Sequence, residues 1–116
     1  MSIENHKVVA EISVIPLGKK YSTDTMIDST SIGKEVAIAF KSIQKIPQVK
    51  VTLNAMGTEI EANNIKDILK SIDVAHQALK DIGIKRIIST IRIDERLDKT
   101  ETLEDRINSV KEKLNN

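Results

Sequence analysis

The sequence predicts an α+β sandwich, a single sheet covered by helices on one side. Three observations lead there. Apolar and polar residues alternate with period two in four separate runs; apolar stripes at helical spacing separate the first run from the second and the third from the fourth; and the two middle runs are joined by a tight turn at Asn54-Ala55-Met56-Gly57. At 116 residues the chain fits one domain spanning 1–116, long enough to bury roughly two-thirds of the surface an extended chain exposes.

Val8 to Ile15 is the first strand, with Val8, Ala10, Ile12 and Val14 on one face and Val9, Glu11, Ser13 and Ile15 on the other. Pro16-Leu17-Gly18 ends it, and Lys19 to Ser29 is polar without a period, a loop. Ser29-Thr30-Ser31 supplies cap residues ahead of a stripe of Ile32, Val36, Ala39, Phe40 and Ile43. That helix stops before Pro47, because the residue preceding a proline is pushed out of the α region.

Val49, Val51 and Leu53 alternate with Lys50, Thr52 and Asn54, then Thr58, Ile60 and Ala62 alternate with Glu59 and Glu61, a hairpin whose Gly57 suits a positive φ. Asn63 or Asn64 caps a second helix with Ile65, Ile68, Leu69, Ile72, Ala75, Leu79 and Ile82 on its apolar side and Gly83 at its end. Arg86 to Asp94 is the last strand, and Thr100 or Thr102 opens a final helix carrying Leu103, Ile107, Val110 and Leu114. The order β-α-β-β-α-β is that of a ferredoxin-like sandwich, here with an extra C-terminal helix. Two helices cover one side of such a sheet, so the other side should expose a mixture of apolar and charged residues, suited to a wet interface or a ligand surface.

Eighteen basic and seventeen acidic side chains, with no long run of either sign, leave no footprint for nucleic acid or an anionic membrane. The apolar runs are strand-sized and the first residues lack a signal-like core, so a cytoplasmic protein is expected. Zero cysteines exclude disulfides and thiolate chemistry. His6 and His76 have no partners at metal-ligand or triad spacing, and His76, at the edge of the second helix's stripe, is expected to pack its ring there. No cofactor is indicated.

Taken in order, Ala10-Glu11-Ile12-Ser13-Val14-Ile15-Pro16-Leu17-Gly18, Ser29-Thr30-Ser31, Met56-Gly57-Thr58 with Ile60-Glu61, His76, and Ile91-Arg92-Ile93-Asp94-Glu95-Arg96 with Asp98-Lys99 resemble the small thiamine-binding protein family. The resemblance covers nearly the whole chain. It implies a cytosolic homo-oligomer, commonly a dimer of dimers, that binds thiamine or its hydroxymethylpyrimidine moiety and has no established reaction. The chain departs from the family pattern in three places: Lys19 to Asp28 looks inserted, Ala55 stands where proline is frequent, and Arg92 stands where lysine is common. The insertion lies beside the expected site and bears on which ligand is taken.

A thiamine site needs acceptors for an exocyclic amine, soft or apolar surface for a ring, and a carboxylate near a cation. The ligand-binding candidates are therefore Glu11, Asn54 and Glu61 with Arg92 on the open sheet face, Met56, Gly57 and Thr58 at the hairpin turn, and Ser29, Thr30 and Ser31 at a helix start. Each has a plainer role beside it. The carboxylates can make cross-strand pairs with Lys50 and Arg92, the hydroxyls can serve only as caps, and Arg96 with its acidic neighbours can be a salt-bridged connector. Phe40 is expected in the core, leaving Tyr21 as the free ring. The function expected is non-enzymatic binding of thiamine or a related pyrimidine by a homotetramer. The alternative is a structural or regulatory oligomer whose open sheet face serves self-assembly only.

Overall fold

A computed structural model describes residues 6–18 and 30–116. Along the chain run β1 (Val8–Leu17), α1 (Gly33–Gln44), β2 (Lys50–Leu53), β3 (Thr58–Ala62), α2 (Ile65–Asp81), β4 (Arg86–Glu95) and α3 (Leu103–Leu114). The strands form one antiparallel sheet in the order β2-β3-β1-β4. This α+β architecture is consistent with the ferredoxin-like arrangement that the element order predicts.

Alternation sets the two faces of the sheet. Val8, Ala10, Ile12 and Val14 turn inward with Ile60 and Ala62, and α1 and α2 add Ala39, Ile43, Ile68, Ala75 and Leu79 to one core. Register follows from the same pattern, since Val8 pairs with Ala62 and Ala10 with Ile60, apolar against apolar. The caps of the later helices are those the sequence predicts. The Asn64 side chain accepts from the Asp67 N–H at 2.8 Å, and Thr102 with Asp105 forms a reciprocal capping box. Gly83, just past α2, has φ +94°, a conformation that favours glycine.

The start of α1 differs from the expected cap. Its N-cap is Ile32, without a side-chain cap hydrogen bond, and Ser31 instead accepts from the Gly33 N–H at 3.2 Å. Thr30 is exposed just ahead of it, and Ser29 lies outside the described residues. Gly57 also differs: positive φ among glycines is confined to Gly18 and Gly83 within the described residues. Its requirement is space, because a Cβ there would lie 3.1 Å from the Ile12 carbonyl oxygen.

The open face is only partly open. The Leu103 N–H donates to Glu61 Oε1 at 2.9 Å and Arg106 donates to Asp94, which brings the first turn of α3 over one end of that face and buries Val9 and Glu61. At the other end Ile15 and Ile88, directly paired across β1 and β4, remain exposed. No helix of the described residues is long and apolar enough to cross a membrane.

Candidate functional site: a cleft between α1 and the hairpin turn

A cleft of about 610 Å³ opens between α1 and the turn joining β2 to β3, floored by Ile12 and Val14 of β1. That volume suits a small heterocycle. Two rows of side chains on α1 explain why it is not filled. Glu35, Ala39 and Ile43 form the buried row, while Val36, Phe40 and Gln44, with Ala37 and Lys41 beside them, face the cleft. Rows spaced by four residues lie side by side on a helix, so both are built by one apolar-rich segment.

The opposite wall is the hairpin turn. The Asn54 N–H donates to the Gly57 carbonyl at 2.9 Å, closing a turn whose tip is Ala55 and Met56. Met56 is 86% exposed, an unusually open position for a large apolar side chain, and it lines the cleft together with Leu53, Asn54, Gly57 and Thr58. The turn sits close against β1 because Gly57 has no Cβ.

Phe40 corrects the sequence-based expectation. It is half-buried, stands outside the core cluster, and lines the cleft. Tyr21 and the rest of Lys19 to Asp28 lie outside the described residues. Residues with polar side chains at the cleft are few: Ser13, Lys41, Gln44, Asn54 and Thr58.

The model of the thiamine-binding protein family matches residues 10–111. The chain belongs to that family. A UPF0045 protein of Methanothermobacter thermautotrophicus is 35% identical over 107 residues, covering 92% of this chain and 99% of the relative. The UPF0045 protein MJ1052 of Methanocaldococcus jannaschii is 38% identical over 106 residues, covering 91% of this chain and 94% of the relative. The crystal structure of MJ1052 superposes with a TM-score of 0.73 over 92% of this chain and 98% of that one, at 37% identity. TM0486 of Thermotoga maritima, assigned provisionally to thiamine biosynthesis or salvage, shares the fold with a TM-score of 0.66 at 17% identity, over 90% of this chain and 98% of its own.

Of the residues singled out in the sequence of this family member, Asn54, Met56, Gly57 and Thr58 meet at the cleft. Glu11, Glu61 and Arg92 do not line it. Glu11 pairs with Arg92 at 3.5 Å on the open face, the cross-strand role, and Glu61 holds the Leu103 N–H. Ser31 stands one residue ahead of Ile32 and Gly33 at the cleft's edge. What sequence reasoning missed is the second row of α1, with Phe40, Lys41 and Gln44. The available signal was its width, since Val36 and Phe40 stand four apart beside a parallel row at Ala39 and Ile43.

The remaining charged and polar candidates have structural partners. Arg96 forms a two-pronged pair with Asp98 and donates to Glu101 at 3.2 Å. The Arg96 hydrogen bond holds the Asp98 carboxyl down to about 2, and Asp98 in turn raises the Arg96 guanidinium above its ordinary value. Asp98 is exposed and Arg96 half-buried, and the cluster reads as a connector that shapes the path into α3. His76 Nε2 shares a hydrogen bond with the Ser89 hydroxyl, tying α2 to β4 away from the cleft. Among the described residues, no group of three metal-ligating side chains converges.

Proposed function

We propose that this protein binds thiamine or a related pyrimidine without transforming it, as a cytoplasmic homo-oligomer, a tetramer being the specific expectation. The observation that carries the reading is the pairing of Phe40 with Met56 across a cleft of about 610 Å³ that also holds two carboxamides, Asn54 and Gln44. A flat heterocycle gains from a ring on one side and a polarizable thioether on the other. Each carboxamide offers a donor and an acceptor, the complement of a ring nitrogen beside an exocyclic amine. Family membership and the assignment of TM0486 to thiamine metabolism support the ligand class.

Thermal shift with thiamine, its phosphates and hydroxymethylpyrimidine tests this directly. A ligand at a hundredfold over its Kd adds about 2.7 kcal/mol, a rise in Tm on the order of 10 °C for a chain of this size. Phe40→Ala should keep the fold, because the ring stands outside the core, and should abolish the shift. An unchanged shift in the folded variant would reject the cleft as the site.

A second reading rests on a different feature. α3 buries no residue and exposes Ile107, Val110 and Leu114, which favours an assembly module whose apolar surfaces meet other copies. Oligomers in solution combined with no shift from any pyrimidine would favour that reading over the first.

A further inference from the structure

We infer that β4 is the seam along which two copies of this chain join edge to edge, antiparallel about a twofold axis at Thr90, making one continuous sheet. The inference rests on the homo-oligomer reading above and deepens it by naming an interface. The sheet has two edges, β2 and β4, and among the described residues no strand lies beyond either. The edges differ in kind. β2 has 4 residues and opens on Lys50, the short and charged form that discourages further pairing. β4 has 10, pairs with β1 in unbroken register from Arg86 to Glu95, and contains no proline, lysine or bulge to blunt it. Ile87, Ile88, Ile91 and Ile93 also give it strong strand character. Exposure marks the same flank. Ile12 is 3% exposed, whereas Ile91, its partner across the ladder on the helix-facing side, is 38%, and Ile88 on the opposite side is 43%. A strand exposed on both faces beside a buried neighbour is one whose outer flank lacks cover, and its outward N–H and C=O groups are a template for another strand.

Charge and pattern select a second copy as that strand and fix the register. A twofold axis perpendicular to the sheet keeps both helix layers on one side, so opposed residues must share a face. Centred on Thr90, the pairing sets Arg86 of each copy opposite Asp94 of the other, Ile87 opposite Ile93, and Ile88 opposite the aliphatic stem of Arg92. Moving the centre to Ser89 sets Arg86 against Arg92, and moving it to Ile91 sets Asp94 and Glu95 against Ile88 and Ile87. The Thr90 register therefore joins opposite charges and apolar pairs where its neighbours oppose like charges or bury carboxylates against isoleucine. Its end pairs have room to form. Arg86 is exposed and outside the ion pairs of the described residues, and Arg106 takes Oδ2 of Asp94, leaving Oδ1 for a second guanidinium.

The sequence holds no cysteine, so a single introduced thiol reports a single contact. Thr90→Cys, Ile88→Cys and Arg92→Cys, all at exposed positions, are each treated at micromolar concentration with a bis-thiol reagent short enough for the about 5 Å between opposed Cβ atoms. Thr90→Cys should double in mass on a denaturing gel. Ile88→Cys and Arg92→Cys should stay single, because each lies about 13 Å along the strands from its own counterpart in this register. Arg86→Asp, which opposes like charges at both ends of the seam, should lower the oligomeric mass seen by light scattering, and Arg86→Lys should keep it. A cross-link strongest at 88 or 92, no cross-link at 90 in a protein that light scattering shows to be oligomeric, or an Arg86→Asp mass equal to wild type would overturn the inference while leaving the oligomer intact. A monomeric wild type would reject the oligomer reading and this one together.

Discussion

Gly57 decides the shape of the cleft through an atom it lacks. A Cβ at this position would stand 3.1 Å from the Ile12 carbonyl oxygen and 3.4 Å from Glu11 Cγ. The carbonyl belongs to β1, held by β3 on one side and β4 on the other, so the strand cannot give way cheaply. Gly57→Ala should therefore destabilise the protein by about 1–3 kcal/mol, as overpacking does, and push the Met56 tip away from β1. Urea denaturation measures the first effect; a midpoint within error of wild type would mean that the turn relaxes freely. Phe40 makes a related point. Its neighbours Ala39 and Ile43 are buried while it lines open space, so one residue's position around a helix separates packing from binding.

α3 is an element held by its first turn. Thr102 and Asp105 cap it reciprocally, Leu103 reaches back to Glu61, and Arg106 reaches Asp94, yet no residue of the helix is itself fully buried. Hydrogen bonds from the Thr102 backbone, then from its side chain, lower the Asp105 carboxyl below its ordinary 3.8. A depressed carboxylate contributes stability that is fully present above its unfolded value and lost as pH falls through its folded one. α3 should accordingly keep its amide protection at neutral pH and lose it on acidification below about pH 4, ahead of the sheet. Hydrogen exchange followed by pH would show this, and protection of α3 persisting alongside the core strands to pH 2 would contradict it. Thr102→Ala, which removes one half of the cap, should cost the helix about 1 kcal/mol at neutral pH.

At the scale of the molecule, the described chain is elongated, 54 × 37 × 19 Å with a radius of gyration of 16.6 Å. A compact domain of this length would have a radius of about 13 Å. The excess accompanies unpartnered apolar surface on α3 and at the Ile15–Ile88 pair of the sheet. Burial of such surface against further copies is the economical resolution, and it underlies the proposed oligomer. Light scattering at micromolar concentration should give a mass above that of the monomer. Ile88→Asp, a change at an exposed site that leaves the core untouched, should lower it; a monomeric wild type would reject the proposal, and an unaffected mass in the variant would move the interface from this face to α3.

Sequence alone determined the order of the elements and the helix-facing side of the sheet, and it narrowed the caps of α2 and α3 to two residues each. These depend on local properties: the period-two pattern from Val8 to Val14, the side chains of Asn64 and Thr102 three residues from the N–H groups they satisfy, and the positive φ that Gly83 tolerates. It also singled out residues of the Asn54–Thr58 turn, which forms one wall of the cleft. Tertiary structure alone decided which row of α1 lines the cleft, because that depends on how the helix is rotated against α2 and the sheet, and two adjacent apolar rows leave the rotation undetermined. It decided why position 57 is glycine, since the obstacle is a carbonyl on another strand. It also decided that Glu61 serves α3, through a hydrogen bond spanning 42 positions that no local pattern encodes.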